Sequence, residues 1–214
     1  MATIRSIQVG LPYQYRDPSS TVKAQAAWTT AFYKLPVSEP VFVSVKGLTG
    51  DGHADLKNHG GIDKAVLAYS VAHYPFWCNT LSKPELPFGA FGENLAIEGQ
   101  TEENVCIGDR YQIGNVLLEV SQPRQPCWKL GRRWNENLLP KMVIQNGYCG
   151  WYLRVLEEGE IALEDSVSLV DRPNPLWPIQ RANELLYQKT IDSVSLTELF
   201  LLPELSASWK ESLG

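Results

Sequence analysis

The most restrictive feature of this chain is a strand that is made to stop. Val116-Leu117-Leu118-Glu119-Val120 is apolar and β-branched, and Ser121-Gln122-Pro123-Arg124-Gln125-Pro126-Cys127 follows it directly. Proline has no N–H to offer a sheet ladder. Pro123 and Pro126 therefore hold the backbone extended where the strand is expected to end. Upstream, Asp109-Arg110-Tyr111-Gln112-Ile113 reads as a partner strand, and Gly114-Asn115 is a two-residue hairpin signal. Cys127 is thus delivered by the returning arm of a hairpin, on a stiff loop that also carries Arg124. An arginine close in space favours thiolate over thiol, and a thiolate serves as a nucleophile or as a ligand to a soft metal centre. The alternative reading of a free cysteine is a small buried hydrophobe.

The rest of the chain repeats the pattern of short apolar runs broken by glycine and proline. Residues 4–9, 41–45, 64–69 and 150–156 read as strands, and residues 161–170 contain a return strand kinked at Glu164 and Asp165. Gly10–Ser20 reads as a loop. Val71–Leu81 reads as a helix with Pro75 in its first turn, and residues 128–135 as irregular or a short helical turn. Leu139–Gly147 reads as a helix with Pro140 near its start and Gly147 past its end. A proline-dense linker, Asp171–Pro178, precedes three helical stretches. These are residues 179–189, a second helix opened by a Ser195–Glu198 capping box and stopped by Pro203, and residues 206–213. The expected class is mainly β (α+β), with one domain over residues 1–172 and a helical segment over 173–214.

Three loops have the composition of binding segments. Gly47–His53 is broken by glycines that let the backbone approach a ligand closely. In Asp55–Lys64, the adjacent Gly60 and Gly61 expose N–H groups between His59 and Lys64. Such a cluster can cradle a phosphate, an ordinary polar turn being the other reading. In Pro87–Leu95, Asn94 can meet a heterocycle edge or cap the local backbone. Phosphate-loop, dinucleotide-fingerprint and nucleophile-elbow motifs are missing.

Composition narrows the class further. Of 214 residues, 44% are hydrophobic and 20% charged, with a formal charge of -5. That balance suits a globular protein and argues against general binding to nucleic acid or anionic membrane, although a local basic pocket for a small anion remains compatible with it. No run reaches membrane-spanning length, and the first residues have no signal-peptide core. The four cysteines lack a CxxC pairing and make no zinc pattern with the three histidines. Reduced thiols and a cytoplasmic location are the expectation.

Five stretches occur in a fixed order: Gly47-x-x-Gly50-Asp51, His59-Gly60-Gly61-x-Asp63-Lys64-Ala65-Val66, Phe91-Gly92-Glu93-Asn94-Leu95, Ser121–Cys127 and Gly150-Trp151-Tyr152. Together the sequence resembles the MOSC family, in its YiiM-type branch, and the tail resembles that branch's three-helix appendage. The resemblance implies a MOSC-type β-barrel that binds the molybdenum cofactor, a molybdopterin, with Cys127 as catalytic residue and thiolate ligand to the metal. It assigns Arg124 to the pterin phosphate as a bidentate partner. His59, Gly60, Gly61, Asp63, Lys64 and Asn94 become further cofactor-binding candidates, with Lys129 an additional basic one. It implies reduction of N-hydroxylated compounds, such as 6-N-hydroxylaminopurine, to amines. Electrons then come from a flavoprotein reductase, since the chain has no flavin, haem or iron–sulfur motif. Self-association as a homodimer through the tail is compatible with this. Ala68 and Tyr148 stand where the family often has a histidine and a basic residue, which bears on substrate choice. The competing readings are sulfur transfer through a Cys127 persulfide, a non-catalytic pterin carrier, and a hydrolase pairing Cys127 with His59 or His73.

Overall fold

A computed structural model describes residues 1–16, 27–55, 59–187 and 192–214. Its thirteen strands are β1 (Ala2–Val9), β2 (Tyr13–Arg16), β3 (Ala27–Thr30), β4 (Leu35–Val37), β5 (Val41–Ser44), β6 (Gly47–Leu48), β7 (Val66–Ser70), β8 (Leu95–Glu98), β9 (Arg110–Ile113), β10 (Val116–Pro123), β11 (Trp151–Glu157), β12 (Gly159–Ile161) and β13 (Ser166–Asp171). The six helices are α1 (Tyr74–Thr80), α2 (Trp128–Trp134), α3 (Leu139–Asn146), α4 (Ile179–Tyr187), α5 (Ser193–Leu201) and α6 (Ala207–Leu213). Among the described residues, no helix is long and apolar enough to cross a membrane.

Seven strands close into a barrel in the order β13-β9-β10-β11-β7-β8-β1, because β1 also pairs with β13. Each antiparallel pairing reverses direction, so an odd ring cannot be antiparallel throughout. The β7–β8 pair is the parallel one. Parallel neighbours need a crossover connection. Residues 71–94 supply it, with α1 and then the Phe91-Gly92-Glu93-Asn94 loop. The crossover sets that loop at the barrel end where β10 finishes. A barrel this small is filled by side chains rather than open. Trp77, Trp151, Ile7, Leu95 and Leu118 are all fully buried.

Local chemistry explains the elements. The β9–β10 hairpin turns at Gly114-Asn115, with Val116 opposite Ile113. Pro75 occupies the first turn of α1, and Gly147 caps α3 at φ 73°. Glu164 takes φ 66° at the predicted kink between β12 and β13.

Four expectations need correction. β10 does not end at Val120 but continues through Pro123, which still pairs with Trp151. A proline carbonyl can accept at a strand's last position, where no further N–H is required. Gly10–Ser20 is not all loop. Tyr13–Arg16 pairs with Ala27–Thr30, held by a Tyr15–Tyr33 stack at 4.5 Å, while residues 17–20 lie outside the described set. Residues 128–134 form a regular helix. The second tail helix is capped by Asp192, whose carboxylate accepts from the N–H groups of Val194 and Ser195, so Ser195 is inside the helix rather than its cap.

The tail is docked on β10. Ser206 donates its N–H to the Ser121 carbonyl at 3.0 Å and its hydroxyl to Gln122 Oε1 at 2.6 Å. Trp209 is fully buried behind them. Lys189, the expected end of the first tail helix, lies outside the described residues.

Candidate functional site

The site follows from strand pleat. Trp151 pairs with Ala68 and Ala68 with Leu95, and all three point into the core. Side chains alternate along a strand, so the adjacent row faces the other way. That row contains Tyr152, paired with Leu67, and then Asn94, which donates its N–H to the Leu67 carbonyl at 2.8 Å. Tyr152, Leu67 and Asn94 form one wall of a cavity of about 560 Å³, counted out to its open mouth. Thr30, Phe32, Lys34, Gly52, His53 and His59 also line it. Arg124, Cys127 and Lys129 complete the lining.

Cys127 is half-buried and holds an extended backbone, φ −121° and ψ 169°, immediately before α2. Among the described residues its thiol has no hydrogen-bond partner, histidine included. Arg124 is only 4% exposed. Its backbone N–H donates to the Gly150 carbonyl at 3.0 Å and its Nη2 to the Phe91 carbonyl at 3.1 Å. Its Nη1 is buried with no partner among the described residues. A buried donor left unmade costs about 1–3 kcal/mol, more when charged. The guanidinium is therefore held in place with one donor available to a ligand.

Glu93 fixes the loop that receives Arg124. Its carboxylate accepts from the N–H of Phe91 at 3.0 Å, from the N–H of Gly89, and from the Tyr74 hydroxyl. Gly92 is required here. It takes φ +82°, and an added Cβ would come within 2.9 Å of the Phe32 ring.

The cavity is rich in cations. Lys34 forms a buried ion pair with Asp51, which also accepts from the Gly10 N–H at 2.9 Å and from Asn94 Nδ2 at 2.8 Å. Burial pulls the Lys34 pKa down against the pull of Asp51. Burial, then Lys34, lowers that of His53. Burial, followed by Lys129 and Arg124, pushes His59 down to about 4. Burial raises Tyr152 to about 12 against the opposing effect of Arg124. No hydrogen bond or ion pair engages the Lys129 side chain among the described residues. Lys129 and Arg124 thus leave positive charge in the cavity uncompensated by a direct partner.

The structure gathers Cys127, Arg124, His59, Asn94 and Lys129 around one space. Gly60, Gly61, Asp63 and Lys64 do not line it. Asp63 instead pairs with Arg154 at 2.9 Å, and its carbonyl accepts from Ser121 Oγ. Burial lowers the Lys64 pKa, opposed by Asp63, Asp55 and Glu211. Asn94 does not cap its local backbone but ties distant segments together: Oδ1 accepts the N–H of Leu67 on β7 at 3.0 Å, and Nδ2 donates to Asp51 at 2.8 Å. His73 is buried elsewhere, bonded to Glu102 at 2.6 Å and stacked on Tyr148 at 3.9 Å. His53 ends the glycine-broken loop Gly47–His53 but was not itself singled out, and Lys34 and Thr30 were not marked by any sequence pattern. The one available signal for Lys34 was its place directly after the aromatic segment Trp28–Tyr33.

Comparison with known proteins agrees with this architecture. Residues 55–168 match the MOSC domain, and residues 177–214 match the YiiM-like, 3-alpha helix domain. The chain is 42% identical over 183 residues to the uncharacterized protein YflK of Bacillus subtilis, covering 86% of this chain and 82% of that one. It is 42% identical over 178 residues to a Gibberella moniliformis protein called "Reductase", covering 82% of this chain but only 32% of that longer protein. The crystal structure of YiiM from Geobacillus stearothermophilus superposes with a TM-score of 0.82 at 35% identity, over 100% of this chain and 97% of that one. With the barrel, the tail and the loop order all in agreement, the chain belongs to the MOSC domain family, in its YiiM-like branch.

Proposed function

We propose that this protein is a molybdenum-cofactor-dependent reductase of N-hydroxylated compounds, with Cys127 as the thiolate ligand to the metal. The observation that carries the reading is Arg124 Nη1: a buried charged donor without a partner among the described residues, on a side chain that lines the same cavity as a half-buried thiol. The residues fit the group. A guanidinium with a spare donor suits a phosphate, and Lys129 adds a second positive charge. Cys127 is a lone protein donor, since no cluster of three His, Cys, Asp or Glu side chains occurs among the described residues. A metal held there needs further donors from a ligand, which a pterin dithiolene provides. When bound, the cofactor supplies the two-electron couple that takes oxygen from an N–OH group and leaves an amine.

The protein's own part is to bind and orient. Arg124 and Lys129 would hold the phosphate and Cys127 would ligate the metal, while His59 and His53, which also line the cavity, stay neutral at neutral pH. Gly60, Gly61, Asp63 and Lys64 lie outside the lining, so the proposal does not rest on them. Electrons come from a separate flavoprotein reductase. A longer fungal relative is called "Reductase", and this name supports a reductive activity, although this chain spans only 32% of that protein. The test is protein made in a cofactor-competent host and supplied with an artificial electron donor. The expected result is one molybdenum per chain and turnover of 6-N-hydroxylaminopurine, with turnover lost in Cys127→Ala. Full turnover in that variant removes the ligand role. A sulfur adduct on Cys127 without molybdenum replaces the proposal with sulfur transfer.

A further inference from the structure

The residue after Cys127 is Trp128, and it is 58% exposed. More than half of this large aromatic, next to the Cys127 thiol in sequence, is left in solvent even though its ring meets one other tryptophan. Its ring centroid lies 5.3 Å from that of Trp28, tilted by 51°. Trp28 and Thr30 are two apart on β3, hence on one face of that strand, and Thr30 lines the cavity. The tryptophan pair therefore extends the cavity wall outward from Cys127. Arg132, one turn along α2, sets its guanidinium over both rings, at 5.1 Å from Trp28 and 5.9 Å from Trp128. Two donors in this cluster are buried without partners among the described residues, Trp28 Nε1 and Arg132 Nη2. Tyr15, 6.1 Å from Trp28 and stacked on Tyr33, buttresses the wall from behind.

We infer that Trp128, with Trp28 and Arg132, forms a stacking platform that positions flat heteroaromatic substrates beside Cys127. The π-face of Trp128 takes the ring, and the unpartnered donors take ring nitrogen or exocyclic acceptors. This inference rests on the Cys127-centred reading above for where the reacting group is directed. Its binding part needs no metal, so the two can fail separately.

The experiment titrates adenine, an unreactive purine, into the full chain without cofactor and reads tryptophan fluorescence and calorimetry. One lost base–aromatic stack corresponds to roughly a 5- to 100-fold loss of affinity. Trp128→Ala is expected to weaken adenine by that factor and Trp128→Phe to retain most of the affinity. Arg132→Ala is expected to weaken purines that carry ring acceptors more than benzene-ring analogues. Trp128 is exposed, so the variant's thermal midpoint is expected to match the parent and serves as the folding control. No adenine binding by the parent, or equal binding by Trp128→Ala, overturns the platform. Binding of a free pterin that Trp128→Ala abolishes, with adenine unaffected, gives the surface to the cofactor and also overturns it. Absence of turnover in the loaded parent, with adenine binding intact, sinks the redox reading and leaves the platform standing.

Discussion

Arg124 illustrates how one residue is prepared for a ligand. Its main chain is tied to Gly150 at 3.0 Å and one guanidinium nitrogen to Phe91 at 3.1 Å, which fixes the side chain before anything binds. Its Nη1 is buried with no partner among the described residues. A lysine here keeps the charge but loses the planar fork, so it cannot hold Phe91 and a phosphate together. Charge-assisted hydrogen bonds contribute about 1.5–3 kcal/mol, so Arg124→Ala is expected to lower phosphate-ester affinity by roughly 10- to 100-fold. Arg124→Lys should fall between. Molybdenum content after dialysis, compared across the three proteins, checks this order. A lysine variant that retains full metal would show that charge alone suffices. The placement of Arg124 and Cys127 just past a strand end was legible in the sequence, although the strand runs through Pro123 before it yields. Lys34 was not, because it enters the cavity only by tertiary apposition and carries no local pattern, and for His53 only its glycine-broken loop was legible.

At the scale of elements, the close approach of β7 and β11 depends on Gly150. It takes φ +75°, and an added Cβ would lie 2.5 Å from the Ala68 carbonyl oxygen. Its N–H also donates to Glu102 at 2.7 Å. The left-handed conformation alone costs a non-glycine residue about 1–2 kcal/mol, and the clash must push two barrel strands apart. Gly150→Ala is expected to destabilise by more than about 2 kcal/mol, read as a lowered denaturant midpoint. An unchanged midpoint would mean the strands can separate without loss. The tail offers a milder test. Asp192 caps α5 through Val194 and Ser195, so Asp192→Ala should lower the thermal midpoint, and Ser195→Ala should lower it less. The hairpin at Gly114-Asn115 and the caps at Pro75 and Gly147 could be read from the chain because each is local chemistry. The β2–β3 hairpin could not, because its Tyr15 stacks on Tyr33, outside the hairpin, and Tyr15–Trp28 bridges its arms. The Asp192 cap was passed over because Ser195 and Glu198 imitate a capping box three residues later.

Taken as a whole, the molecule sets a cationic cavity in an acidic chain of formal charge -5. Attraction for an anion is therefore local, and proton uptake should report it. Burial, helped by the nearby charges of Lys129, Arg124 and Lys64 and opposed by Asp55, lowers the His59 pKa to about 4 from an ordinary 6.5. In the unfolded chain the ring protonates near 6.5, so the neutral folded form loses relative stability as pH falls from that value toward 4. An anion in the cavity offsets Lys129 and Arg124 and so raises the His59 pKa in the bound state. Binding must then strengthen as pH falls toward the free-state value and become flat above neutrality, where the ring is uncharged with or without anion. Sulfate is the suitable probe because it stays dianionic throughout. Its affinity, measured by calorimetry between pH 5 and 8, is expected to rise at the acidic end with proton uptake visible as a dependence on buffer ionisation enthalpy. His59→Gln should remove both the rise and the uptake while leaving affinity at pH 8 near that of the parent. A flat profile in the parent would mean that sulfate sits too far from His59 to share its field, and the cations would then have to be assigned to separate sites rather than to one ligand.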